Sequence, residues 1–151
     1  MDPIALLKKD HREAERLFKS YDEAGDSAHA KKQTLFEEIK TALTIHMAIE
    51  EEIFYPAIKK VRSKEVKDEI READEEHHVA KVLIAELSKM TPQDEQFDAK
   101  VTVLKENIEH HVKEEEGELF PDAKKLVSKK RLEELGTAME ARKANLEKAK
   151  K

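Results

Sequence analysis

The chain has 151 residues, enough for one domain with an apolar core, and its net charge of −5 with both signs interspersed gives no electrostatic case for nucleic acid or an anionic membrane. It has no cysteine, which excludes disulfides, zinc thiolate sites and iron–sulfur clusters. With 42% charged residues, three glycines and four prolines, the composition favours helix throughout; no apolar run would span a bilayer and MDPIALLKKDH lacks a signal-peptide layout, so the expectation is a soluble, cytoplasmic protein.

In chain order, Asp2 caps a first helix with Pro3 in its first turn, running to about Ala24. Gly25-Asp26-Ser27 breaks it, and Ser27 is placed to cap a long second helix that persists to about Val61 with a bend before Pro56. Ser63 caps a third helix to about Met90. Thr91-Pro92 opens a fourth, with Asp94 placed for a capping contact and Gly117 and Pro121 disturbing its end. Ser128 starts a last helix over a highly charged tail carrying Leu132, Leu135, Met139 and Leu146.

Apolar residues follow steps of three and four in each of the first four helices, the signature of a buried face. The first gives Ile4, Leu7, His11, Ala14, Phe18, Tyr21 and the second Phe36, Ile39, Leu43, His46, Glu50, Ile53, Ala57. The third gives Ile70, Ala73, His77, Ala80, Ile84, Leu87 and the fourth Val101, Leu104, Ile108, His111, Glu115, Leu119. Short connections make neighbours antiparallel. The expected architecture is all-α: an up-down-up-down four-helix bundle over residues 1–127, with residues 128–151 as a C-terminal helix packed on it or extending from it.

Each inner stripe is interrupted near its middle by one histidine, and in the second and fourth helices by a glutamate one turn later. Both segments, HMAIEEEIFYP and HVKEEEGELFP, read His, three residues, Glu, five residues, Pro. Residues i and i+4 share a helix face with Cβ atoms about 5–6 Å apart, so each His–Glu pair can address one centre. A single histidine on an apolar stripe is ordinarily a hydrogen-bonded core residue. Four in one layer with two carboxylates need compensation: they could pair with one another in a buried hydrogen-bond network, but a cation does better by neutralising the carboxylates and taking the imidazole lone pairs. The candidate ligands are therefore His11, His46, Glu50, His77, His111 and Glu115, enough for two ions with the carboxylates bridging. A donor set of imidazole and carboxylate without sulfur suits iron, with zinc or manganese as alternatives. Phase selects His77 and His111 over His78 and His110. It also selects Glu50 and Glu115 over Glu51, Glu52, Glu114 and Glu116, with Glu116 still within reach as a rival and the off-stripe glutamates read as a solvated face. The halves repeat: Asp10-His11 aligns with Glu76-His77, and each half then supplies His-x-x-x-Glu. One metal per half follows.

The segments DHREAERLF, HMAIEEEIFYP, DEEHHVAK and HHVKEEEGELFP resemble the hemerythrin-like, or HHE cation-binding, domain family over residues 4 to about 125. The resemblance implies two iron ions bridged by carboxylates and an oxo, hydroxo or water ligand, held by those same six residues. The family's oxygen carriers have a further histidine one turn away on the third helix; here the flanking positions are Ala73 and Lys81. What the resemblance then implies is a protein that binds oxygen or handles peroxide or nitric oxide, with an open coordination position. An iron-sensing or storage module without catalysis, and a zinc-binding structural bundle, are the alternatives. No nucleophile or general base stands out beyond the ligands, and neither Glu-x-x-His nor His-Glu-x-x-His, the motifs of ferritin-like di-iron proteins and zinc proteases, occurs at these positions.

Overall fold

The structure is a computed structural model describing residues 2–150. Among these, every regular element is helical: α1 (Pro3–Glu23), α2 (His29–Ile49), α3 (Tyr55–Lys59), α4 (Lys64–Ser88), α5 (Phe97–Glu114), α6 (Phe120–Leu126) and α7 (Lys129–Ala149). Two π-helical turns, Glu50–Phe54 and Glu115–Leu119, join α2 to α3 and α5 to α6 without a break, so the chain forms five helical rods. None is long and apolar enough to cross a membrane.

The caps largely follow local chemistry. Asp2 accepts from the Ile4 N–H at 2.9 Å, with Pro3 spending no hydrogen bond at the first position. Ser63 and Ser128 accept from the N–H groups of Val66 and Arg131. Two expected starts shift. Ser27 does not cap α2: the turn closes by a bond from the Ala28 N–H to the Gly25 carbonyl, and Ala28 takes the flanking position without a side-chain bond. Asp94 accepts from the Thr91 N–H at 2.7 Å and so closes a turn, which delays α5 to Phe97.

The inner stripes of α1, α4 and α5 are buried at every expected position. The second departs after Glu50: Ile53 and Ala57 are half-buried, while Phe54, Tyr55 and Ile58 are buried instead. The cause is the π turn. The Tyr55 N–H bonds the Glu50 carbonyl five residues back, which inserts one residue and rotates the stripe by one position. Pro56 follows directly; it has no N–H to give and its ring would crowd the carbonyl four residues before it, so a widened turn is the unstrained solution. The Phe120 N–H bonds the Glu115 carbonyl in the same way, ahead of Pro121.

Rods α1 and α2 pack as one hairpin and α4 and α5 as the other, while α7 lies across α1, α2 and the first π turn. The apolar core is in two parts. One contains Phe18, Phe36, Leu43, Leu87, Phe97 and Leu104; the other contains Leu7, Phe54, Ile58, Ile70, Phe120 and Met139. Each fully buried side chain of this size contributes about 1.5–3 kcal/mol. The histidines and the two inner glutamates form the layer between the two parts. Leu135 and Met139 bring α7 into the second, with Leu132 and Leu146 half-buried beside them.

Candidate metal centre

His11 (α1), His46 (α2), His77 (α4), His111 (α5), Glu50 and Glu115 are all buried, the two glutamates almost completely. Each glutamate is the first residue of a π turn. The four Nε2 atoms point inward. Glu50 Oε1 lies 3.2 Å from His46 Nε2, 3.0 Å from His77 Nε2 and 3.7 Å from His111 Nε2. Glu115 Oε1 lies 3.0 Å from His11 Nε2 and 3.3 Å from His111 Nε2. The donors fall into two groups with metal-binding spacing, His11–His46–Glu50–Glu115 and Glu50–His77–His111, with Glu50 in both.

Each ring is fixed from behind by a carboxylate. His46 Nδ1 donates to Asp10 at 2.9 Å; His11, His77 and His111 donate from Nδ1 to Glu116, Glu51 and Glu76, each at 2.7 Å. This arrangement sets the ring orientation, leaves Nε2 for the centre and raises its basicity. The four outer acids obey the repeat. Asp10 and Glu76 each precede a histidine of their own helix and hold the histidine of the next; Glu51 and Glu116 each follow an inner glutamate and hold a histidine of the other pair's helices. Glu116, the rival to Glu115, thus reaches His11 Nδ1 from outside, not the centre. Glu51 and Glu116 are half-buried, which corrects their reading as a solvated face. His78 and His110 are exposed, His110 pairing with Glu114 at 2.9 Å.

Tyr55 and Phe120 occupy matching places in the two repeats and behave differently. The Tyr55 hydroxyl donates to Glu115 Oε2 and lies 3.5 and 3.4 Å from the Nε2 atoms of His77 and His111. Phe120 stacks on the His11 ring with centroids 5.8 Å apart. Sequence reasoning read Glu51 as part of a solvated face and Glu116 as a rival ligand and gave Asp10 and Glu76 no role, although Asp10-His11 and Glu76-His77 already align between the halves.

The electrostatics describe a centre short of positive charge. Burial pulls the His46 imidazole down, but the Glu50 charge and the bonds to Asp10 and Glu50 outweigh it and push its pKa up to about 10. Burial likewise opposes, and carboxylates overcome, a rise at His77 and a larger one at His111. Burial would lift Glu50, yet the His46 charge and the surrounding imidazole contacts hold it well below the carboxylate range. Burial and the charges of Glu50 and Glu115 push the Tyr55 phenol far up, so it stays a donor. Two buried atoms of the centre, His46 Nε2 and Glu50 Oε2, have no hydrogen-bond partner, although His46 Nε2 has the Glu50 carboxylate beside it. Such orphans are costly unless something else occupies them. The donor set fits cations: divalent ions would bring positive charge directly between the imidazole lone pairs and the two carboxylates.

A cavity of about 750 Å³ opens between α1 and α2 and reaches all four histidines. Ala14, Leu17, Met47, Ile108 and Val112 line its walls, and Lys143 and Glu147 of α7 lie along it.

Fold and layer together define a helical bundle built around a cation-binding centre. The profile of the hemerythrin HHE cation-binding domain matches residues 2–123, and the chain belongs to that family. A crystal structure of a hemerythrin HHE cation-binding domain-containing protein from Mycobacterium kansasii is similar over 99% of this chain and 89% of its own, with a TM-score of 0.84 and 25% identity. A DNA nickase from Nostoc sp. (strain PCC 7120 / SAG 25.82 / UTEX 2576) is 28% identical over 142 residues. That match covers 94% of this chain but 39% of the nickase, so the chain spans well under half of that relative's length.

Proposed function

We propose that this chain is an up-down-up-down four-helix bundle, with α7 as its extension, that holds two iron ions and binds oxygen or handles peroxide or nitric oxide there. The observation that supports this most strongly is the buried convergence of four Nε2 atoms and two carboxylates, each imidazole held at Nδ1 by an outer acid. His11, His46, Glu50 and Glu115 would hold one ion and Glu50, His77 and His111 the other, with Glu50 shared. Bound iron would supply redox electrons and an open coordination position; imidazole and carboxylate without sulfur favour it over softer metals.

The remaining work falls to the protein. The outer acids keep Nε2 unprotonated once a cation replaces its proton. Tyr55 holds Glu115 in place through its one O–H and sets its hydroxyl oxygen beside His77 and His111. The cavity, apolar at Ala14, Leu17, Met47, Ile108 and Val112, gives a small neutral ligand a way in from the α1–α2 side. Nicking of DNA is a property of the longer relative; the acidic balance of this chain does not favour such a substrate.

The test is metal analysis of protein purified from iron-rich medium, followed by reaction of the reduced protein with oxygen, peroxide or nitric oxide. About two irons per chain and a ligand-dependent change in visible absorption support the reading. Zinc alone, or iron that responds to none of the three, contradicts it.

A further inference from the structure

The four outer acids differ in what holds them. Glu116 meets Arg12 and Glu51 meets Lys81, cations on the helices that carry the histidines and more than half exposed. Glu76 meets His110, also exposed. Asp10 is met from outside the histidine-bearing helices. Lys143, on α7, places Nζ 2.5 Å from Asp10 Oδ1, while Asp10 Oδ2 accepts from His46 Nδ1 at 2.9 Å. The Asp10 side chain is 10% exposed and that of Lys143 28%, the most buried acid–lysine contact around the centre. The neighbouring Arg142 bonds Glu52 of the first π turn at 3.0 Å, so α7 grips both α1 and the segment that begins with Glu50.

We propose that Lys143 is a positioning residue of the metal centre: acting through Asp10 it orients His46, so that docking of α7 and binding of the cation between His11 and His46 strengthen each other. This rests on the metal-binding reading above. A carboxylate whose two oxygens are divided between an ammonium and an imidazole N–H cannot rotate without breaking one of the two bonds, and the imidazole it holds inherits that orientation. Outer partners of metal-binding histidines typically control affinity by about 10- to 100-fold. Coupling between two binding events is reciprocal, so a cation that fixes His46 must also favour the docked α7. Among the described residues, no such helix covers the other hairpin. Where Ile45 and Ile49 are buried, the repeat places exposed His110 and half-buried Glu114. Lys81 provides a comparison on that side, since it makes the same lysine–acid–histidine chain through Glu51 to His77 but in solvent, where screening weakens it.

The experiment is calorimetric titration of the full-length metal-free protein with Co(II), on wild type and on Lys143→Met, Lys143→Arg and Lys81→Met. Wild type should bind two ions. Lys143→Met should weaken one step by about tenfold and leave the other unchanged; Lys143→Arg should recover most of the loss, and Lys81→Met should change either step by less than about twofold. Hydrogen exchange separates this from mere packing. Co(II) should slow exchange of the α7 amides in wild type and have no such effect in Lys143→Met. If Lys143→Met lowers the melting temperature but leaves both Co(II) steps intact, the positioning role is overturned while the metal-binding reading stands. Wild type that binds no Co(II) overturns both.

Discussion

The two helical hairpins carry the same chemistry and are finished differently. Each supplies two histidines and one glutamate, two outer acids and a π turn ahead of a proline. Beyond that they diverge. The first hairpin lies under α7, keeps apolar Ile45 and Ile49 beneath it and receives Lys143 against Asp10. The second is bare, with His110 and Glu114 at the matching places. Within the centre the asymmetry reverses: Tyr55 gives a hydroxyl to the His77–His111 side, whereas Phe120 only stacks on His11. The repeat keeps the inner donors and alters what surrounds them, so two ions held there would not be equivalent.

Substitution of the inner carboxylates breaks the symmetry most sharply. Glu50 belongs to both donor groups and Glu115 to one. Glu50→Ala should therefore lose both ions, while Glu115→Ala keeps about half the metal of wild type, as read by metal analysis per chain. Equal losses would show that the two carboxylates are interchangeable.

Acidity acts on both halves. In the metal-free protein the raised pKa of His46, up to about 10, means that a proton competes with the cation well above neutrality. Metal affinity should keep climbing from pH 6.5 toward 9 instead of levelling near the ordinary imidazole value. Stability of the metal-free protein should run the other way. A raised imidazole pKa stabilises the fold fully below about 6.5 and is lost as pH rises toward 10, and the depressed Glu50 contribution is lost as pH falls below about 4.5. Melting temperatures of metal-free and loaded protein across this range check both directions.

The outer acids sharpen the comparison. Asp10→Asn and Glu76→Gln should each weaken metal binding by about 10- to 100-fold, at different steps of a Co(II) titration, because each supports a histidine of a different donor group. Tyr55→Phe makes the two repeats alike and is expected to act on stability rather than on metal content. It leaves Glu115 Oε2 without its donor and should cost about 1–3 kcal/mol in denaturant unfolding of the metal-free protein, while the variant still takes up two ions when metal is supplied.

Much of this layout is legible in the sequence, and the failures have causes. The stripes of α1 and α4 can be read to the last residue because each is an uninterrupted α-helix of 21 or 25 residues; that of α5 continues into the second π turn, where Glu115 and Leu119 are still buried. The stripe of α2 fails just after Glu50, where an extra residue in the π turn exchanges Ile53 and Ala57 for Phe54, Tyr55 and Ile58. Pro56 marks a disturbance there, but a proline signals a bend and an inserted residue alike. The convergence of the six inner donors follows from phase. The outer acids do not, because they lie one residue off the stripe among many charged neighbours, and only the packed helices reveal which of those reach a ring. Lys143 is further still from view, being one of many lysines on a helix whose docking depends on Leu135 and Met139 finding the second core.

Crystals grown with Fe(II) and measured at the iron absorption edge test the central claim directly. Two anomalous peaks should appear inside the buried layer, one among His11, His46, Glu50 and Glu115 and one beside Glu50, His77 and His111. No peak there, or iron bound only at exposed acids on the surface, would contradict it.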